Sequence, residues 1–206
     1  MERIRQNRIM CSALVIGNGE SRRHVDVTAY KQHILIGCNA IHRDIDVDHL
    51  ICCDRRMAEE AVNNPNTKDT KIYVRDHWHH YFRKIRKNKN VHLLPEVPTR
   101  GEAKVNHAEH WGSGGYAVLL AAVLGHQEVT LIGFDLYPIE HSVNNIYKGS
   151  ANYARTGAQA VDPSYWVYQI AAVFMYYPNT KFVIRNRSGW LMPTEWQKNN
   201  VEFVAL

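Results

Sequence analysis

Leu14-Val15-Ile16-Gly17-Asn18-Gly19-Glu20-Ser21 is an apolar run that breaks abruptly into glycines. Short Val-, Ile- and Leu-rich runs bounded by turn residues suit strands buried on both faces, the condition of a parallel sheet. Without Cβ atoms, the turn at the carboxyl end of such a strand can approach a ligand closely. Its N–H groups, together with the positive end of a helix starting near Ser21, suit an anion. The turn lacks the third glycine of a dinucleotide fingerprint, because Arg22 stands there, and no Gly-Lys-Ser/Thr follows as in a Walker A loop. NAD and P-loop chemistry are therefore disfavoured. A plain tight connection explains the same glycines without any ligand.

Working outward, similar runs recur at 34–37, 50–53, 71–74, 91–94, 129–132 and 181–184, after the first at 13–16. Helical patterns fall at 55–63, 79–87, 115–124 and 163–177, the last opened by Asp162-Pro163 as cap and first turn. Alternating strands and helices predict an α/β domain with a mainly parallel sheet of about seven strands, helices on both faces and the 13–16 strand near the middle. No repeat interrupts the chain, and 206 residues fit one domain spanning 1–206. The stretch 138–161 is polar, contains aromatics and lacks periodicity. It reads as a long loop of the kind that serves as a lid.

Composition excludes other classes. With 45% hydrophobic and 22% charged residues the chain can bury a core and is not disordered. No apolar run reaches the roughly 18 residues of a bilayer-spanning helix. The start, with Arg3, Arg5 and Arg8, has no apolar region or cleavage site, so a cytoplasmic protein without a membrane span is expected. Cys11, Cys38, Cys52 and Cys53 lack zinc-site spacing and read as reduced thiols. The 25 basic residues exceed the 20 acidic ones, giving a net charge of +5. Arg83, Lys84, Arg86, Lys87 and Lys89 concentrate that excess after His77-Trp78-His79-His80. This is either a solvated helix face or a phosphate-binding surface.

The other strand ends collect polar groups: Gly37-Cys38-Asn39, Cys53-Asp54 and Gly133-Phe134-Asp135-Leu136-Tyr137. Each alone reads as a cap or turn former. Jointly they fall at the carboxyl edge, where open α/β sheets bind ligands, and amides, carboxylates and phenols can pair with ribose and bases. A second glycine turn, Trp111-Gly112-Ser113-Gly114-Gly115-Tyr116, opens an apolar helix whose free N–H groups form another anion site, unless Ser113 simply caps it.

From Ser113 to Tyr137 the pattern Ser-Gly-x-Tyr, apolar helix, Leu-Gly-x-x-Glu-Val, strand, Gly-x-Asp-x-Tyr resembles the bacterial sialyltransferases of glycosyltransferase family 42. Gly17-Asn18-Gly19-x-Ser21 and Cys38-Asn39 resemble the same family's amino-terminal turns, so that about half the chain is covered. The glycine turn and the Gly-x-Asp ending are shared with a wider group that includes pterin pyrophosphokinase-like proteins. The resemblance implies a three-layer αβα, Rossmann-like fold and a CMP-sugar donor as substrate, with no obligatory metal or other cofactor. It places Gly17, Asn18, Gly19, Ser21 and Asn39 at nucleotide and phosphate, and Asp54 near the donor, where the family has Asn. Ser113 and Gly114 would touch donor sugar or phosphate, and Gly133, Asp135 and Tyr137 would border the nucleotide.

This chain departs from the family at the chemistry. Glu20 replaces a proline, His110 replaces an arginine, and Gly157-Ala158-Gln159-Ala160 occupies the region of the family's histidine base. His110, with His141 and Tyr147 from the lid, are the remaining candidates for acid or base catalysis. The expected function is therefore a nucleotide-sugar-binding, sialyltransferase-like protein with weak or absent transfer, a glycan as acceptor, and a homo-oligomer as one possible assembly. The alternatives are a magnesium-dependent pterin or nucleotide pyrophosphotransferase, a non-catalytic nucleotide binder, and a nucleic-acid-binding protein using the basic stretch. His77-x-His79-His80, His107-x-x-His110 and Asp44-x-Asp46-x-Asp48 lack the partners of a metal site and read as surface features. Trp190, Trp196 and Phe203 are expected to close the core or form an oligomer contact.

Overall fold

The computed structural model describes residues 12–206, so Cys11 lies outside the described residues. Among the described residues, eight strands form one sheet: β1 (Ser12–Ile16), β2 (Ile34–Cys38), β3 (His49–Cys52), β4 (Lys71–Val74), β5 (Val91–Leu93), β6 (Glu128–Ile132), β7 (Lys181–Asn186) and β8 (Val201–Ala205). Their order is β5-β4-β3-β2-β1-β6-β7-β8. Every pair is parallel. The chain steps outward from β1 to β5, returns to β6 on the other side of β1, and steps outward again. This is a doubly wound, Rossmann-like sheet with its switch point between β1 and β6. The eighth strand is the element the sequence reading left out. Val201-Glu202-Phe203-Val204-Ala205 does alternate, but it is an edge strand with half-exposed side chains rather than a buried apolar run.

Four α-helices among the described residues cover the sheet: α1 (Arg55–Asn63), α2 (Asp76–His80), α3 (Ser113–Val123) and α4 (Ser164–Tyr176). The expected 79–87 helix is realised as α2 followed by a wider, π-type turn at Tyr81–Ile85. Alternate residues of each strand feed opposite cores, as strand geometry requires. Ala13 and Val15 pack with α3 and α4. Leu14 and Ile16 pack with α1 and Phe82. α3 is apolar all round because it lies between the sheet and α4, with Ala117, Val118, Leu119 and Ala121 fully buried. Trp196 is fully buried, and Trp190 packs against both it and Phe203, closing the α4 side.

Cys38, Cys52 and Cys53 are free and buried. Burial pushes the Cys38 thiol up to about 12 and the Cys53 thiol to about 11. No helix among the described residues is long and apolar enough to cross a membrane.

β3 begins with a buried histidine. Desolvation, with a smaller push from Lys71, lowers His49 from 6.5 to about 4, while its Nδ1 lies 3.0 Å from the Tyr73 hydroxyl. Below pH 6.5 the unfolded chain takes up a proton that folded His49 accepts only near pH 4. Stability is therefore intact above pH 6.5 and lost as pH falls through this window. His49→Gln should flatten the acid limb of a urea-midpoint-against-pH curve by at most about 3 kcal/mol. Unchanged curvature would assign the acid loss to other groups.

Candidate functional site

At the switch point the two central strands run on past their last paired residues. Gly17 N–H donates to the Ile132 carbonyl (2.8 Å) and Gly19 N–H to the Gly133 carbonyl (2.9 Å). A Cβ on Gly17 would stand 2.4 Å from the Gly133 carbonyl oxygen, and Gly133 itself holds φ +70°. Two glycines are required because backbone meets backbone. Asp135 then turns back under the first turn: its carboxylate accepts from Ser21 N–H (2.9 Å), from the Ser21 hydroxyl and from Asn186 (3.4 Å). Its backbone carbonyl accepts from the Trp190 indole (2.8 Å). Asp135 is only 3% exposed, so it ties the β1 and β6 turns together from inside.

Asn18 projects the other way, across the end of β2. Its amide nitrogen donates to the Cys38 carbonyl (3.2 Å), which fixes the orientation of the amide, and lies 3.0 Å from the Tyr153 hydroxyl. Its Oδ1 is buried and has no hydrogen-bond partner, on a side chain of a residue 8% exposed. Asn39 follows β2 with φ +54°, and its Oδ1 accepts from the Ser113 hydroxyl (2.9 Å). That hydroxyl also accepts from Cys53 N–H (3.2 Å). The first residue of α3 is thereby bonded to the ends of β2 and β3, with Gly114 beside Phe134. Asp54 stands exposed one residue beyond Cys53, at the start of α1. The structure thus brings Gly17, Asn18, Gly19, Ser21, Asn39, Ser113, Gly114, Gly133 and Asp135 to one sheet edge.

The segment 138–161 lies over this edge as a long loop with isolated bridges at Ile139–Ser142 and Ser142–Gln159. Ile146 N–H donates to the Asn18 carbonyl (2.9 Å), and the Tyr153 hydroxyl also accepts from Ala40 N–H (3.4 Å). Three guanidinium groups reach it, Arg23 through the Ile146 carbonyl (3.4 Å) and Arg43 and Arg22 through larger knots. Arg43 forms a bidentate pair with Glu60 (2.6 and 2.7 Å) and reaches Ser150 (2.8 Å) and the Ala151 carbonyl (2.9 Å). Asn152 completes that knot on Glu60 (2.8 Å), and the Arg43 hydrogen bonds hold the Glu60 carboxyl below its usual range. Arg22 reaches the Tyr147 hydroxyl (2.6 Å) and Asp44 (3.1 Å), and Tyr147 donates to Asp44.

The three acid-base candidates do not join the cluster. Tyr147 is spent in the Arg22–Asp44 knot, and burial first, then its bond to Asp44, pushes its phenol well up, so it stays protonated at neutral pH. His141 is exposed on a turn with φ +65°. His110 is exposed before α3 and faces Glu109 at 3.7 Å. Tyr137 is exposed at the rim of a neighbouring open cleft of about 860 Å³, which Tyr165, Tyr168, Met192 and Glu195 also line. Tyr153, Arg43 and Glu60 were not singled out by sequence reasoning. The only signal for Tyr153 was an aromatic ring among small polar residues in the predicted lid.

Among the described residues no group of three or more His, Cys, Asp or Glu side chains could hold a metal ion. Comparison with protein families, curated proteins and solved structures finds no match to this chain. Arg43→Ala should release the loop: amide hydrogen exchange across 147–154 should rise about tenfold or more while the β1 and β6 amides stay protected. Equal protection in the variant would show that the Arg43–Glu60 knot does not hold the loop down.

Proposed function

We propose that the carboxyl edge of β1, β2 and β6 binds a cytidine nucleotide, and that the chain is a sialyltransferase-like protein taking a CMP-sugar donor with slow transfer chemistry. The observation that carries this reading is Asn18. A buried amide oxygen without a partner costs about 1–3 kcal/mol, and here it stands on the first glycine turn, beside the end of β2. A ligand donor placed at that oxygen recovers the cost. The exocyclic amine of cytosine is such a donor, whereas uracil offers a carbonyl at the same position. The unpaired N–H groups at the start of α3 suit the phosphate.

The neighbouring cleft supports a glycan acceptor. Tyrosine faces stack on the apolar faces of sugar rings, and Glu195 can accept from hydroxyls. Slow transfer follows from the positions of His110, His141 and Tyr147, none of which offers a free base at the cluster. Lacking a general base lowers rate by about two to four orders of magnitude without preventing donor binding.

Titration calorimetry should show saturable CMP binding, with or without magnesium, at least about tenfold tighter than UMP binding. Asn18→Leu and Asn39→Ala should each weaken it by about tenfold, one lost net hydrogen bond. Thermal melts confirm that both variants are folded. NAD binding without CMP binding would overturn the donor assignment. Magnesium-dependent binding of a nucleoside triphosphate would favour the pyrophosphotransferase reading. Robust sialyl transfer would show that a base does reach the cluster, with His141→Ala and Tyr147→Phe the first variants to make.

A further inference from the structure

Far from the site, at the other end of the sheet, lies a surface whose charge nothing balances. Between Asp76 and Glu96 the chain contains no acidic residue. Arg83, Lys84, Arg86, Lys87 and Lys89 are all exposed. None of the five lies within ion-pair distance of a carboxylate among the described residues, whereas Arg22, Arg23, Arg43, Arg55, Lys148 and Lys181 each have one. The stretch is also held in place. Arg83 donates to the Lys89 carbonyl, Arg86 to Asn63 of α1 (2.9 Å), and Asn90 to the Lys68 carbonyl. Arg55 of α1 stacks over Trp78 and Tyr81 at 5.3 and 5.4 Å, which fixes those rings beside the cations.

We propose that this face, built from α2, the Tyr81–Ile85 turn and the approach to β5, binds the phosphodiester backbone of single-stranded nucleic acid. Five unpaired cations crowded into seven positions repel one another and gather counterions. A polyanion relieves both, and releasing its counterions drives association. The exposed His77 and His80 rings, with the partly exposed Trp78 and Tyr81, lie among the charges where bases can stack. A membrane surface is a poorer fit. Interfacial helices bury a continuous apolar face, and here the exposed large aliphatic side chains are Ile85 and, on β5, Leu93, while Phe82 is fully buried in the core. The face belongs to β5, four strands from β1 in the sheet, or about 19 Å at roughly 4.8 Å per strand.

Fluorescence anisotropy with a labelled mixed-sequence single strand tests this on the whole chain. If the five cations each meet a phosphate, log Kd should change with log salt with a slope of about 3 to 4, a loss of roughly 100-fold between about 50 and 200 mM salt. Lys84→Glu with Lys87→Glu should weaken binding more than tenfold and lower that slope, while circular dichroism and CMP titration stay as in the parent. Because these exposed side chains bond to nothing, the double variant separates this face from the crevice. Several results would overturn the proposal: no binding at low salt, a salt-independent signal, or a variant that binds like the parent. So would equal or tighter binding to phosphatidylserine vesicles than to the oligonucleotide, which would assign the face to a membrane.

Discussion

No Cβ fits between Gly17 and Gly133, and the rest of the site follows from that contact. Parallel neighbours normally diverge after their last ladder bond, since each must leave for a different face of the sheet. Here they stay in register for one more step, because each turn is bare backbone where it meets the other. Gly19 extends the same constraint: a Cβ there would strike the Asp135 carboxylate at 2.4 Å. The buried Asp135 can accept from Ser21 only because that space is open. One close approach thereby places a carboxylate, a helix-forming turn and an amide side chain around the switch point without a long side chain to bridge them.

The same economy of space explains why α3 is apolar on every side. Its first residue has to reach the ends of β2 and β3, so the helix must lie close under the sheet. α4 then covers its outer surface, with Gln169 bonded to Gly112 and to the His110 carbonyl. Gly115 faces Gln169 at a distance where a Cβ would be tight, 3.1 Å from its amide oxygen. The glycines that sequence reasoning assigned to anion binding thus have packing work as well, and the two uses are compatible: tight packing is what points the amino terminus of α3 at the sheet edge.

The central strands β1, β3 and β6 were legible because a strand enclosed on both faces is apolar almost throughout, and β2, β4, β5 and β7 because each still carries a short Val-, Ile- or Leu-bearing run that ends at a turn residue. The edge strand β8 escaped because half-exposed residues such as Glu202 carry no such demand. The sheet-edge positions were legible for a topological reason, since every residue following a parallel strand arrives at the same edge. The hydrogen bonds among them were not. Nothing in the spacing says that Ser113 will sit between Asn39 and Cys53, or that Arg43 will pair with Glu60 from a different strand connection. Long-range pairing depends on how loops fold back, and the irregular 138–161 segment carries no periodic signal from which to read it. Tyr147 shows the cost of that gap: as a sequence letter it is a proton donor in a lid, but in the fold it is a strut between Arg22 and Asp44.

The loop raises the final question of energy. Asn18 already bonds to Tyr153, and its carbonyl to Ile146, so a ligand reaching the Asn18 amide must first lift the loop. The knots of Arg43 and Arg22 set the cost. If the open form is a fraction f of molecules, the observed dissociation constant is the intrinsic one divided by f. Each ~1.4 kcal/mol of loop docking therefore weakens apparent affinity about tenfold. The Arg43–Glu60 anchor is partly exposed, where screening keeps such pairs modest, whereas the Arg22 guanidinium is buried and meets a half-exposed Asp44. The bonds of Asp135 with Ser21, of Asn18 with the Cys38 carbonyl and of Cys53 with Ser113 are fully buried and join the strand ends to one another, not to the loop. Fully buried bonds thus hold the floor of the site rigid, partly buried ones hold its cover, and that difference is what lets a ligand enter without unfolding the sheet edge that would bind it.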